Sequence, residues 1–333
     1  MSFIEISKKN YFYNLDILCE KLCDKNRLAV VLKDNAYGHG LVIMAGLSAE
    51  YGISKAIVRT SDEAKQIKSY FKSIIILTPS DSEENYSNFS FVINNLSQIE
   101  KLPKNAKVHL KIDTGMHRSG ISNKELAKAY NLIEKNSLVL KAVMTHFRSA
   151  DELSSELFWQ QKNWQKVKEE ALKLTQKYNY NIPLFHSANS ATLLRSSNYE
   201  DDFARCGIAT FGYHQMPSSY NMPKFKPVLS LWAEKITTLN LKKGQRVGYG
   251  GAFIAKKDMK ISTYDIGYGD GFFRHCNEGM FLGKVSMDSC AIEGDAQKVC
   301  ILNDASQIAN RFDTISYDIL VKLSPTIKRV ITH

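Results

Sequence analysis

Between residues 28 and 207 the chain carries eight short apolar runs, and their spacing constrains the fold more than any other feature. The runs are LAVVLK (28–33), KAIVRT (55–60), SIIILT (73–78), FVINN (91–95), VHLKID (108–113), LKAVMTH (140–146), PLFHSA (183–188) and DFARCG (202–207). They are rich in Val and Ile and lack clean apolar–polar alternation, the pattern of strands covered on both faces. Amphipathic stretches separate them. Residues 61–72 begin with Ser61 as an N-cap and Glu63 close behind. Residues 123–136 repeat apolar positions at helical spacing, and a long stretch from Asp151 to Tyr178 does so with Leu153, Leu157, Trp164, Val167, Ala171 and Leu174. Eight buried strands alternating with helices predict an α/β fold, a TIM-like (β/α)8 barrel over residues 8–225. A doubly wound open sheet is the competing arrangement. After residue 225 the texture changes to strand-like segments (SLWAEKITTLN, MKISTYDIGYG, KVSMDSCAIEG) with Gly, Asp and Asn between them, predicting a mainly β domain over 226–333. A length of 333 residues suits one large domain and one smaller.

The net charge is +10, from 44 Lys and Arg against 34 Asp and Glu. No block of like charges concentrates it, so most is a solvated surface and nucleic-acid binding is not expected. A basic balance does suit an anionic ligand such as a phosphate ester. The six cysteines (Cys19, Cys23, Cys206, Cys276, Cys290, Cys300) form no CxxC pair and no regular framework, which predicts a reduced chain. The start has no apolar run behind a basic head, and no stretch of about 18 apolar residues exists to span a bilayer. The expected location is the cytoplasm, with no membrane partner.

The chemistry-bearing residues gather at predicted strand ends. Lys33 closes the first run, and the carboxyl ends of barrel strands form the catalytic face. A partly desolvated Lys there can lose its proton and form a Schiff base; the plainer reading is a Lys reaching to water. Arg118 follows the fifth strand, His146 ends the sixth, HSANSAT follows the seventh and RCGIATFG the eighth. One such residue is usually structural; five strand ends converging on one face point to a site. Ser190 at a helix start, with the amides of Gly207 and Ile208, resembles an anion-binding barrel corner, against a bland reading of capping and a turn. In the second domain Tyr249 and Tyr268 each lie between glycines, as turn residues or as exposed acid–base groups. Met287 is either core filling or a ligand contact. No Walker string, GxSxG elbow or metal-ligand spacing appears.

Taken together, KDNAYGHG, DTGMHRSG, THF, HSANSAT, RCGIATFGY, VGYG, GYGDGFFR and KVSMDS, in this order from about residue 4 to residue 330, resemble the alanine racemase family of fold-type III pyridoxal-phosphate (PLP) enzymes. The resemblance implies PLP-dependent interconversion of L- and D-alanine by two bases, supplying D-alanine for cell-wall peptidoglycan. It implies that residues 1–7 add a strand to the β domain. Lys33 would hold PLP covalently, and Tyr37, Ser190, Gly207 and Ile208 would bind its phosphate. Arg205 would face the ring nitrogen and leave it unprotonated, since a guanidinium only donates. His146 would support Arg205 and Tyr249. Lys33 and Tyr249 would serve opposite faces of Cα, with Tyr249 coming from the partner in a head-to-tail homodimer. A phenol is a poor base at neutral pH and would need those cationic neighbours. Tyr268 would narrow the entrance, and Arg118 with the Met287 amide would hold the substrate carboxylate. Lys111 matches a position carbamylated in some members.

The chain departs from the family pattern in places. Cys206 replaces a frequent proline, Gly269 a usual alanine and Lys284 a common arginine, and Pro325 falls where many members have a phosphate-binding tyrosine. Three other readings compete: a broader or serine racemase, separated only by entrance residues such as Tyr268, Arg274 and Leu323; a non-catalytic PLP-binding protein, against which Tyr249 and Tyr268 argue; and a PLP decarboxylase, for which no motif is present.

Overall fold

The computed structural model of the chain describes residues 1–80, 83–275, 277 and 279–333. Cys276 lies outside the described residues. The chain opens with β1 (Phe3–Ser7) and a helix over Lys8–Leu22. Eight strands follow: β2 (Leu28–Val31), β3 (Lys55–Val58), β4 (Ser73–Ile76), β5 (Phe89–Ile93), β6 (Lys107–Lys111), β7 (Val139–Met144), β8 (Leu184–His186) and β9 (Ala204–Cys206). They form one parallel sheet in the order β8-β7-β6-β5-β4-β3-β2-β9. The last strand of the series therefore lies beside the first, with Ala29 opposite Arg205. Strands β8 and β9 make no ladder with each other. Across that gap the Asp202 N–H donates to the Phe185 carbonyl (2.9 Å) and the Arg205 N–H to the Ala188 carbonyl (3.0 Å). The sheet is a near-closed (β/α)8 barrel, not an open doubly wound sheet.

Every residue of β2 and β5 is buried, because helices cover the outside and opposing side chains fill the inside. The helix over Leu126–Lys135 buries Leu126, Ala129, Tyr130 and Ile133, one stripe at 3.6-residue spacing. A 3-10 turn over Asn123–Glu125 precedes it, so the stretch expected as one helix is two elements. The long helix runs over Glu156–Lys177 and starts later than Asp151; Leu153 falls outside its stripe and is 68% exposed. The helix expected at 61–72 spans Ser61–Ile67, and its N-cap is Thr60, not Ser61. The Thr60 hydroxyl accepts from the Glu63 N–H (3.3 Å) and the Glu63 carboxylate from the Thr60 N–H (3.4 Å), a capping box one residue earlier than the local string suggests.

The barrel unit comprises Phe12–Ala36 and Leu41–Lys226; a second compact unit comprises Met1–Tyr11, Tyr37–Gly40 and Pro227–His333. The second unit holds β10 (Leu229–Leu241), β11 (Arg246–Val247), β12 (Phe253–Ile254), β13 (Met259–Tyr264), β14 (Cys290–Glu293), β15 (Lys298–Leu302) and β16 (Lys328–Thr332). Its main sheet has the order β14-β13-β10-β1-β16, with β15 also on β10. The first half of β10 alternates, burying Leu229, Leu231 and Ala233. A register shift between Lys235 and Thr237 then carries its second half onto β13. The N-terminal β1 is antiparallel to β10 and parallel to β16. Of the segment KVSMDSCAIEG only Cys290–Glu293 is strand; Lys284–Ser289 is a loop. Gly38 sits at φ +82°, and a Cβ there would lie 2.0 Å from the Leu320 carbonyl oxygen, so only glycine fits.

Candidate active site

The end of β2 leads into an unusual turn. Asp34, Asn35, Ala36 and Tyr37 take φ values of 55°, 55°, 51° and 52°, four successive left-handed residues without a glycine. Such backbone costs about 1–2 kcal/mol per residue and persists only where its surroundings hold it. Glu63 does much of the holding. Its Oε1 accepts from the Asp34 N–H (2.6 Å) and the Asn35 N–H (3.4 Å), and its Oε2 from the Arg59 N–H (2.7 Å). The Asn35 side-chain oxygen accepts from the Leu41 N–H at 2.9 Å. Lys33 stands at the head of this turn, half-buried, its Nζ 3.8 Å from the Asp34 carboxylate, which pairs with Arg59 at 2.9 Å.

Arg205, on the adjacent β9, is buried. Its Nη1 donates to His186 Nδ1 (2.8 Å) and the His186 carbonyl (2.7 Å). Its Nη2 donates to the carbonyls of Thr145 (2.7 Å) and Ser187 (3.0 Å) and reaches His146 Nδ1 at 3.4 Å. All five acceptors are neutral. Among the described residues no carboxylate lies in ion-pair range, and the Nε–H has no acceptor. Burial lowers the guanidinium to about 10, so its charge survives at neutral pH. The same burial, with the Arg205 charge beside them, holds His146 and His186 far below the ordinary imidazole value, and His109 at about 3. These rings are neutral.

The other barrel residues lie at neighbouring strand ends. Ser190 opens a helix (Ser190–Arg195), and its Oγ accepts from the Gly207 N–H at 3.2 Å; Ile208 follows, buried. Cys206 is fully buried and its thiol is pushed up to about 12 by desolvation, so it stays an inert thiol. Arg118 is exposed in the loop after β6. That loop is drawn round the Asp113 carboxylate, which accepts from the N–H groups of Gly115 (2.9 Å), Met116 (2.9 Å) and His117 (3.0 Å). Lys111 donates to Ser119 Oγ (2.6 Å); burial first, then the charges of Arg118 and Arg205, lower it to about 8.

In the second unit Tyr249 lies between Gly248 (φ 70°) and Gly250 (φ 71°), where β11 turns into β12, and is 65% exposed. Tyr268 and Met287 are brought together. The Tyr268 N–H donates to the Ser286 carbonyl (3.0 Å) and the Gly269 N–H to the Met287 carbonyl (2.7 Å), leaving the Met287 residue 61% exposed. A Cβ on Gly267 would lie 2.2 Å from that carbonyl oxygen. The Arg274 guanidinium carbon lies 5.8 Å from the Tyr268 ring centroid. Tyr37 packs at 5.8 Å against Tyr317. Pro325 offers its carbonyl to Arg329 (3.0 Å).

Sequence reasoning did not single out Glu63 as a brace for the Lys33 turn, nor His186 and His109 as partners behind Arg205. His109 stands inside the run VHLKID, which reads as apolar strand, and His186 opens HSANSAT, where Ser190 alone is given a role. Among the described residues no helix is long and apolar enough to cross a membrane.

Two family models match the chain: the alanine racemase N-terminal domain over residues 6–215 and the alanine racemase C-terminal domain over residues 228–331. The alanine racemase of a Nitratiruptor species is 49% identical over 332 residues, 99% of each chain. That of Campylobacter curvus is 44% identical over 337 residues, again 99% of each. Among solved structures, alanine racemase from Bacillus anthracis with bound L-Ala-P superposes with a TM-score of 0.87 at 25% identity, covering 100% of this chain and 95% of that one. With the barrel, the β unit and both halves matched along nearly their whole length, the chain belongs to the alanine racemase family of amino-acid isomerases.

Proposed function

We propose that the chain interconverts L- and D-alanine with pyridoxal phosphate, in a site completed by a second copy of itself, and that the D-alanine serves cell-wall peptidoglycan. The observation that carries this reading is Arg205: a buried cation with neutral partners on both terminal nitrogens and an unused Nε–H. On the adjacent strand's end stands the primary amine of Lys33. An amine and an unpaired cationic donor suit an aldehyde that bears a basic ring nitrogen. When bound, PLP makes the substrate Cα–H acidic by drawing the resulting negative charge into its ring.

The residues of the chain do the rest. The Lys33 amine holds the cofactor and moves the proton at Cα on one face. The Tyr249 hydroxyl moves it on the other; its exposure at a glycine-flanked turn supports its being offered to the partner subunit. Arg205 would donate to the ring nitrogen of a bound cofactor, and because its guanidinium keeps its protons at neutral pH it would leave that nitrogen unprotonated, restraining charge flow into the ring and favouring return of the proton to Cα. His146 steadies Arg205 and would support the partner's tyrosine hydroxyl in a completed site. Ser190 and the amides of Gly207 and Ile208, with the Tyr37 hydroxyl, take the phosphate. Arg118 and the Met287 amide bind the substrate carboxylate, and Tyr268 limits side-chain size. The reading includes a cytoplasmic location, supported by the free thiols of Cys19, Cys23, Cys206, Cys290 and Cys300.

The test is incubation with L-alanine and PLP in deuterated water, read by chiral chromatography and by NMR at Cα. Racemate carrying deuterium at Cα is expected. Exchange without inversion would remove Tyr249 from its place opposite Lys33. Equal turnover of serine would move the reading to a broader racemase.

A further inference from the structure

The histidine pair behind Arg205 takes no part in the proton transfers above, yet its ring protons can be placed from donor chemistry. A guanidinium has N–H donors and no acceptor. Arg205 Nη1 lies 2.8 Å from His186 Nδ1, so that nitrogen presents its lone pair. His186 is fully buried and neutral, so its one ring proton is on Nε2. Nε2 lies 2.9 Å from His109 Nδ1, which therefore accepts. The neutral His109 ring then carries its own proton on Nε2. One charged donor thus orders two rings in series.

The geometry points to His109 as a positioning residue for Arg205: by accepting from the His186 Nε2–H it holds the His186 ring in the tautomer and rotation whose Nδ1 grips the guanidinium. His109 sits in the middle of β6, between the buried Val108 and Leu110, where an aliphatic side chain would fill the barrel without desolvating a ring. His186 is clamped from its other face by Phe203, stacked at 4.2 Å and 23°. Its ring and its own carbonyl both meet Nη1, so the ring's orientation sets the guanidinium plane. With no acceptor at 109, the His186 Nε2–H would be a buried unsatisfied donor. Moving that proton to Nδ1, or turning the ring, relieves this and ends the grip on Arg205. The catalytic consequence rests on Arg205 meeting the cofactor ring as proposed above; the order of ring protons does not.

The experiment uses the full protein with 15N-labelled histidine, first free of cofactor. Ring NMR should show His186 and His109 both neutral and protonated on Nε2. His109→Leu should give His186 mixed or inverted protonation. It should also weaken PLP binding about tenfold, the effect of losing one well-made hydrogen bond to a charged group, and shift the pH dependence of bound-PLP absorbance. His109→Gln, whose carbonyl can accept from Nε2–H, should restore both. A wild-type His186 protonated on Nδ1 overturns the inference, as does a leucine variant with unchanged tautomer and absorbance, or leucine and glutamine variants that behave alike. If the leucine variant does not fold, the wild-type spectrum and the glutamine variant still decide. Tautomers that respond while PLP affinity and absorbance do not would uphold the His109 link and overturn instead the placement of the cofactor against Arg205.

Discussion

The barrel rim and the tyrosine-bearing loops of the β unit solve opposite problems. At the rim, Arg205, His146, Ser190 and Ile208 are buried or half-buried and fixed by hydrogen bonds inside one unit. In the β unit, Tyr249 and Met287 point outward, 65% and 61% exposed, on turns set by glycines. The rim's polar groups are held by one another, Arg205 by five acceptors and Ser190 by the Gly207 N–H, so little reorganisation remains at the moment of reaction. In the proposed function the exposed Tyr249 and Met287 are completed by a second copy of the chain. If the proposed function holds, damage to the rim should change the cofactor's spectrum, whereas damage to the loops should change turnover and leave the spectrum alone.

The largest effect should come from Lys33→Ala. Loss of the amine removes both the attachment point and one proton-transfer group, so racemisation should fall by more than about 10³-fold and the visible band of bound PLP should vanish. A retained band would break the assignment. Next is Tyr249→Phe, which should bind PLP with a normal spectrum yet lose about 10²–10⁴ in kcat/KM, equally in both directions because the two enantiomers are of equal energy. Mixing the two inactive variants should restore part of the activity, because one intact site forms where a good Lys33 meets a partner's good Tyr249. Confirmed heterodimers with no recovery would place both groups within one chain.

An intermediate effect concerns stability against acid. His109, His146 and His186 are neutral in the fold and held well below the ordinary value near 6.5. The unfolded chain takes up protons on these rings near 6.5, the folded protein only far lower, and His109 at about 3. Their contribution is therefore complete above pH 6.5 and is lost progressively as pH falls below it. At pH 4.5 His109 alone should account for about 2–3 kcal/mol. Urea unfolding across this window should show stability falling toward low pH; a flat profile would mean the rings already titrate normally.

Much of this was legible beforehand because barrel strands are buried on both faces, so LAVVLK or SIIILT announce themselves without reference to the rest of the chain. Motif residues such as Lys33 and Arg205 came with those strings. What stayed hidden was set by tertiary contact. Nothing local demands a left-handed path for Ala36 and Tyr37; the path is fixed by Glu63, far along the chain, and by Asn35 reaching Leu41. Ser61 and Thr60 are equally good caps by type, and only the geometry of Glu63 selects Thr60. His109 read as a strand filler, and His186 at the head of HSANSAT gained no partner, because a single sequence does not reveal which inward-facing side chains meet across a barrel.

The smallest predicted effect sharpens the comparison most, since it touches the rim without touching any group proposed to meet substrate. Glu63 uses two carboxylate oxygens to receive N–H groups from Asp34, Asn35, Arg59 and Thr60. Glu63→Gln keeps the size but replaces one oxygen with a donor, which cannot accept from these amides and faces them instead. The loss should be about 1–3 kcal/mol of stability, read as a lower midpoint in urea. The strained turn should then relax, letting Lys33 wander from the position its backbone imposes. PLP should bind more weakly and its absorbance band broaden, with the Michaelis constant for alanine changing less than turnover. A variant that lost stability but kept a sharp band and full turnover would show that the turn after Lys33 holds itself, and the rim would then owe its order to the Arg205 cluster alone.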